Sequence, residues 1–450
     1  MNRRLTAALL FLVTVVAMEA MSVAVVLPNV EEELRGMAWY GWVFAAFWLA
    51  QILAIPLAGQ WADRWNPAGP LLVGIASFSA GLLAAGWAQS MPMLVAGRAL
   101  QGFGAGIIPA VAYVCVGRGF AEEVRPRVFA LMSMAWIVPS VVGPAAASFV
   151  IANVGWRWVF WGLIPVTTVA GGLSVRSVAA LGPPTEHVGP VAGRLGATLV
   201  VVAGATALIA GFQQHRPILV LLLVGSGLVV TAVAFSRLTP AGTLRFGMGL
   251  PATIASRGVL TCVFFAADAL VPLTMERVRG TGPHYSGVVL ASSAFLWSVG
   301  SWTQARVIDR VGPRSLLRAG LLVVAAGIAL LIVVALTPAP TWLAVVAWAL
   351  GGAGIGLAYS PLSVVTLARA EPGREGFATS ALQLSDAFGV AIGTGIGGAV
   401  VSTATRWNLG VDDGVVAVYV GSLLLAVVGA SLAARVPASM SGSVDTAALS

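Results

Sequence analysis

The chain has 450 residues, of which 58% are hydrophobic and only 9% charged, against roughly 25% charged in a soluble domain. So much apolar surface excludes a water-soluble fold, and most of the chain must have lipid as its solvent. The net charge of +8 does not point to nucleic acid: every basic residue is an arginine, and the arginines sit in short breaks between apolar runs, a pattern that reports membrane orientation.

The first apolar run, 7–29, follows Met1-Asn2-Arg3-Arg4 as a secretory signal would. It is longer than a signal core, contains Glu19, and reaches Glu31-Glu32-Glu33 without a small-residue cleavage site, so it reads as a retained span. Runs long enough to cross a hydrocarbon core of roughly 30 Å follow at 39–61, 70–90, 92–116, 128–150 and 158–178. Two more lie at 194–212 and 217–236, and a last set at 251–276, 286–305, 315–336, 341–366, 378–402 and 414–434. The pattern predicts an all-α membrane protein with fourteen spans. Residues 1–178 form an N-terminal six-helix bundle, 179–250 a linker with two accessory helices, 251–436 a C-terminal six-helix bundle, and 437–450 a disordered tail. With the N-terminus inside, seventeen arginines fall on the cytoplasmic side and six outside, while Arg98 and Arg257 fall within spans. That bias predicts a multi-pass protein of a bacterial cell (inner) membrane with both termini cytoplasmic.

Charges inside spans are the candidate functional residues, because each costs several kcal/mol unless paired, protonated or hydrated. Glu19 stands nine residues before Pro28, about 13 Å below the outer end of its helix at 1.5 Å per residue. Arg98 stands some seven residues into a helix that also enters from outside, so about 10 Å deep by the same rise. The two can meet. A carboxylate that alternates between a partner and a proton is the simplest coupling element, and Glu19 is read that way; a structural ion pair locking the first and fourth helices is the competing reading. Arg98 is either a modulator of that carboxylate or an organiser of backbone carbonyls. Asp268, followed by Pro272, is read as a second proton or cation site. Asp386 lies about one-third into its span from the cytoplasm and serves either as a further polar site or in the gate. Arg257 is expected to snorkel to the cytoplasmic surface.

A gate is suggested by an echo between the halves. Gly59-Gln60-Trp61-Ala62-Asp63-Arg64 follows the second helix of the first set, and Asp309-Arg310-Val311-Gly312-Pro313-Arg314 follows the second helix of the last. The repeated Asp-Arg turn implies internal duplication, as in transporters that rock two bundles about a central site. Asp63 and Asp309 would latch the cytoplasmic side through arginines or a helix end, or serve only as loop charges. The runs Gly102-x-Gly104-x-Gly106, Gly351-Gly352-x-Gly354-x-Gly356 and Gly393-x-Gly395-x-Gly397-Gly398 allow close helix approach. They are not nucleotide loops, since none follows a strand. Trp48, Trp136, Trp297, Phe264 and Phe265 are candidates to line an apolar cavity. Cys115 and Cys262 lack disulfide or metal-ligand spacing and read as packing residues. His187, His215 and His284 lie in or near loops, and no HExxH or GxSxG appears; neither an enzyme nor a metal site is expected.

The sequence resembles the major facilitator superfamily over about 5–434, and specifically its fourteen-helix drug:proton antiporter branch. Five patterns carry the resemblance, in order and on the expected helices. Glu19-x8-Pro28 has the branch's acid-to-proline spacing, with Glu where Asp is usual. Asp63-Arg64 and Asp309-Arg310-x-Gly312-x-Arg314 match the signature loop and its repeat, although Trp65-Asn66-Pro67 stands where a glycine and basic residues are usual. Leu94-x3-Arg98-x2-Gln101-Gly102-x-Gly104-Ala105 matches the fourth-helix motif. Gly143-Pro144 looks like the antiporter motif, with Pro139 and Ala147-Ser148 in place of glycines. Trp156-Arg157-Trp158-Val159-Phe160 matches the start of the sixth helix. The resemblance implies proton-coupled export of small lipophilic or cationic organic compounds of the multidrug-efflux type, with no cofactor beyond the coupling proton. The expected partners are a small-molecule substrate, protons and the lipid bilayer, with no nucleic acid and a monomeric chain. Export of an endogenous lipid or metabolite is the alternative within transport, and a non-transporting receptor or scaffold on the same fold the alternative outside it.

Overall fold

The computed structural model describes residues 3–62, 65–120, 128, 131–132, 135, 137–182, 194–371 and 375–439. Asp63, Arg64 and Trp136 lie outside the described residues, as do most of the predicted tail and the cytoplasmic arginines Arg125, Arg127 and Arg374. Among the described residues, fourteen helices of at least 17 residues account for nearly all of the structure. They are α1 (Arg3–Leu34), α2 (Tyr40–Ala62), α3 (Ala68–Gly86), α4 (Met91–Gly119), α5 (Ile137–Val154), α6 (Leu163–Ala179) and α7 (Arg194–Gly211). Then come α8 (Pro217–Leu238), α9 (Leu250–Asp268), α10 (Pro283–Val311), α11 (Pro313–Leu336), α12 (Trp342–Ala368), α13 (Glu375–Arg406) and α14 (Val411–Leu432). A short helix, Arg157–Trp161, leads into α6, and α9 continues past Pro272 into a π-helical turn at Thr274–Val278.

Each of the fourteen predicted apolar runs overlaps one of these helices, the run 128–150 from Ile137 onward. By length and apolarity, eleven helical segments among the described residues qualify to cross a membrane, so the chain is a multi-pass membrane protein. The three that fall short do so for visible reasons. α5 and α7 are apolar but short, at 18 residues each, and α10 spends its inner face on Ser286, Ser293 and Gln304.

The first six helices and the last six pack in the same pattern. In the first set α2 and α3 pack on α4, and α1 packs on α5 and α6. In the last set α10 and α11 pack on α12, and α9 packs on α13 and α14. The sets meet where α2 crosses α13 and α5 crosses α10. Both crossings depend on small residues: a Cβ on Gly41 would stand 2.8 Å from the carbonyl oxygens of Thr394 and Gly395, and one on Gly287 would stand 3.1 Å from that of Pro144. Helices α7 and α8 pair with each other, and α7 lies against α2 and α13. Gln213 fixes that pair, accepting from Trp42 Nε1 at 2.9 Å and donating to the Ala38 carbonyl at 2.6 Å.

The two ends of the molecule differ. At the rim that carries the termini, Arg314 donates to the Val436 carbonyl at 2.7 Å. Gly312, at φ +79°, leaves room only for the Ala438 carbonyl. At the far rim, charged residues join the two sets. Arg277 reaches Glu31 at 3.1 Å and Asn29 donates to Glu276 at 3.1 Å. Just beneath, Tyr40 donates to the Ala269 carbonyl at 3.3 Å.

Candidate functional site

Glu19 on α1 and Arg98 on α4 form a buried ion pair, with exposures of 1% and 2%. The guanidinium is held from all sides. It also donates to Gln101 Oε1, one turn on, and through Nε to the Val43 carbonyl of α2 at 3.1 Å, while Phe47 covers it at 4.3 Å. Glu19 Oε2 is buried without a hydrogen-bond partner. The carboxylate therefore uses one oxygen on arginine and leaves the other unpaired. Gly143-Pro144 lies one turn away: Ser22 on α1 hydrogen-bonds the Gly143 carbonyl at 3.4 Å, and Ser148 donates to the Pro144 carbonyl at 2.8 Å and to that of Pro283 at 3.1 Å. The motif thus sits where α5 touches both α1 and α10.

Asp268 on α9 is the counterpart of Glu19, but its partner differs in kind. It accepts a hydrogen bond from Trp348 Nε1 on α12 at 2.7 Å. The glycines fix the correspondence. Arg98 stands four residues before Gly102, and Trp348 four before Gly352. A Cβ on Gly102 would strike the Phe47 carbonyl of α2, and one on Gly352 the Ser293 carbonyl of α10. The same match holds two residues on, where Gly104 closes on Gly74 and Phe78, and Gly354 on Gly320 and Val324. One position therefore carries arginine in the first set and tryptophan in the last. Asp268 is partly exposed, and among the described residues no basic group pairs with it. Around it, Phe264 stacks on Trp348 at 4.9 Å and meets Phe265 and Trp297, while Trp48 of α2 approaches Phe265 at 6.3 Å. Four of the five aromatics singled out in the sequence thus lie together.

The expectation for Arg257 was wrong. It does not snorkel but is 3% exposed, facing Asp386 at 3.8 Å and lying over the Tyr359 ring at 3.5 Å. Tyr359 donates to Asp386 Oδ2 at 2.9 Å. Residue spacing places Arg257 near a helix end, but burial is decided by α12 and α13, more than a hundred positions away. Asp309 and Arg310 are exposed at the end of α10, and among the described residues neither is in an ion pair. The far-rim residues Glu276 and Arg277 were not singled out in the sequence; adjacent opposite charges at a span end look like ordinary loop residues.

The family profile described as Major Facilitator Superfamily matches residues 9–300 and again 254–445. The chain belongs to the Major Facilitator Superfamily. It is a membrane transporter and not an enzyme. Among its relatives, a Mycobacterium tuberculosis protein named "Probable multidrug-efflux transporter" is 28% identical over 435 residues, covering 90% of this chain and 88% of its own. The multidrug transporter protein MdtP of Bacillus subtilis is 24% identical over 426 residues, covering 88% of this chain and 74% of its own. In fold, the chain superposes on a POT family transporter crystallised with 5-aminolevulinic acid at a TM-score of 0.68, with 13% identity and 94% of each chain covered. A D-xylose-proton symporter gives 0.65, with 15% identity and 98% of each chain covered.

Proposed function

We propose that this transporter is a proton-coupled exporter of small lipophilic or cationic organic compounds, of the fourteen-span drug:proton antiporter branch. The first and last six helices act as two pseudo-symmetric bundles that rock about a midplane cavity, with α7 and α8 as accessory spans. The protein lies in the bacterial cell membrane with both termini cytoplasmic, so the far rim faces outward. The observation that carries the reading is the unequal acid pair. The duplication supplies one carboxylate with a fixed counter-charge, Glu19 against Arg98, and one without, Asp268 against the Trp348 indole.

A half-buried carboxylate inside a span, with no counter-charge, is stabilised by a proton or a cation. Asp268 is the residue that takes the proton or the positive group of a substrate, whose apolar body the surrounding aromatics receive. Glu19 exchanges Arg98 for a proton as the bundles move. Asp309, with Arg310, Gly312 and Arg314, forms one cytoplasmic turn of the gate, and Asp63-Arg64 the other. The substrate class is supported by the names of the relatives.

An efflux assay in cells with a panel of lipophilic cations, with and without a proton uncoupler, tests the proposal. Uncoupler-sensitive efflux of several unrelated cations is the expected result. Efflux of none of them, with normal protein in the membrane, would favour a lipid or metabolite substrate instead.

A further inference from the structure

Arg257 and Asp386 leave hydrogen-bonding groups unused in the interior. Of the Arg257 guanidinium, Nη2 donates to Ser363 at 2.5 Å, while Nε and Nη1 are buried without an acceptor. Asp386 accepts from Tyr359 through Oδ2, while Oδ1 is buried without a donor. The unused Nε and Oδ1 face each other at 3.8 Å, too far for a hydrogen bond. Such groups cost stability when unpaired, and a ligand that supplies an acceptor and a donor side by side would satisfy both.

Charge narrows the choice. An anion meets Asp386, and a cation meets the permanent charge of Arg257. A zwitterion would bring two further ions out of water, each at several kcal/mol. A neutral carboxamide has neither problem: its C=O accepts from Nε, and its N–H donates to Oδ1. The site also adjoins the aromatic cluster, because Tyr359 roofs the guanidinium and touches Trp297 at 5.5 Å. Asp386 is 23% exposed although Oδ1 itself is buried, so a ligand reaches the pair only if the Tyr359 ring turns aside.

We propose that Arg257, Asp386 and Tyr359 form a subsite that holds the carboxamide group of an uncharged substrate whose apolar part lies against Trp297. This deepens the exporter reading and rests on it, by adding neutral amides to the cations that Asp268 attracts.

Equilibrium binding to the purified full chain in detergent tests it with three matched probes: naphthamide, naphthoate and naphthylmethylammonium. Naphthamide should bind more tightly than naphthoate, and Asp386→Asn and Arg257→Lys should each weaken it about tenfold or more, the scale of a hydrogen bond to a charged group. Tyr359→Phe keeps the roof but frees Asp386 Oδ2, so naphthamide should bind as well as before or better. Binding of naphthylmethylammonium should be insensitive to Asp386→Asn, because Asp268 holds it. Equal affinity for naphthamide and naphthoate, or naphthamide binding unchanged in both Asp386→Asn and Arg257→Lys, would show a water-filled structural clamp and overturn the proposal. Binding is read without a proton gradient, so a failure of coupled export leaves this result standing, and the reverse.

Discussion

Glu19 and Asp268 occupy matching places in the duplicated halves, yet one meets a guanidinium and the other an indole. The difference predicts separate phenotypes. Asp268→Asn should lower transport of a quaternary ammonium probe about tenfold or more and leave an uncharged substrate nearly unaffected. Equal loss for both, measured in the same vesicles, would assign Asp268 to coupling alone. Arg98→Ala should cost roughly 3–5 kcal/mol of stability, because it strands a buried carboxylate. Combining it with Glu19→Gln should recover much of that in a thermal melt; no recovery would mean that Arg98 acts through the Val43 carbonyl and Phe47 instead. The Glu19–Arg98 contact was legible in the sequence, since both charges stand at similar depth in helices entering from the same side. The burial of Arg257 was not, because snorkelling and pairing differ only in what α12 and α13 place beside it.

At the scale of helices, the fourteen apolar runs were legible because lipid forces each crossing segment to satisfy its own backbone. Boundaries were less so. Polar, largely exposed ends extend α10 to Pro283–Val311, beyond the apolar 286–305, and α9 runs on past Pro272 as a π-helical turn. The glycine runs were read as close-approach sites, and the contacts give each a partner: the stripe on α4 closes on α2 and α3, that on α12 on α10 and α11. Their shared register stands in the sequence, but only the matching contacts identify Trp348 as the equivalent of Arg98. Gly102→Ala and Gly352→Ala each drive a methyl into a backbone carbonyl that cannot rotate away. Each should destabilise the protein by roughly 1–3 kcal/mol, whereas Gly225→Ala, with open space around it, should melt with the wild type. Equal melting temperatures for all three would mean that these crossings have slack.

Across the whole molecule, the two sets are tied at the far rim by Arg277 on Glu31 and by Asn29 on Glu276, which also accepts from Ser286 at 3.0 Å. If the bundles rock, these ties must part for the cavity to open outward. A disulfide between Glu31→Cys and Arg277→Cys should therefore stop transport and release it on reduction; full transport while crosslinked would place the moving parts elsewhere. A reporter fused after Arg435 should read cytoplasmic, and a periplasmic reading would invert the orientation taken from the arginines. The central claim is that a buried acid couples export to protons, and reconstituted vesicles with an imposed proton gradient test it most directly. Glu19→Gln, which mimics the protonated acid, should keep the fold and lose gradient-driven transport, while Glu19→Asp keeps part of it. Full gradient-driven transport by Glu19→Gln, with only a lowered melting temperature, would make the Glu19–Arg98 pair a structural clamp and contradict the account.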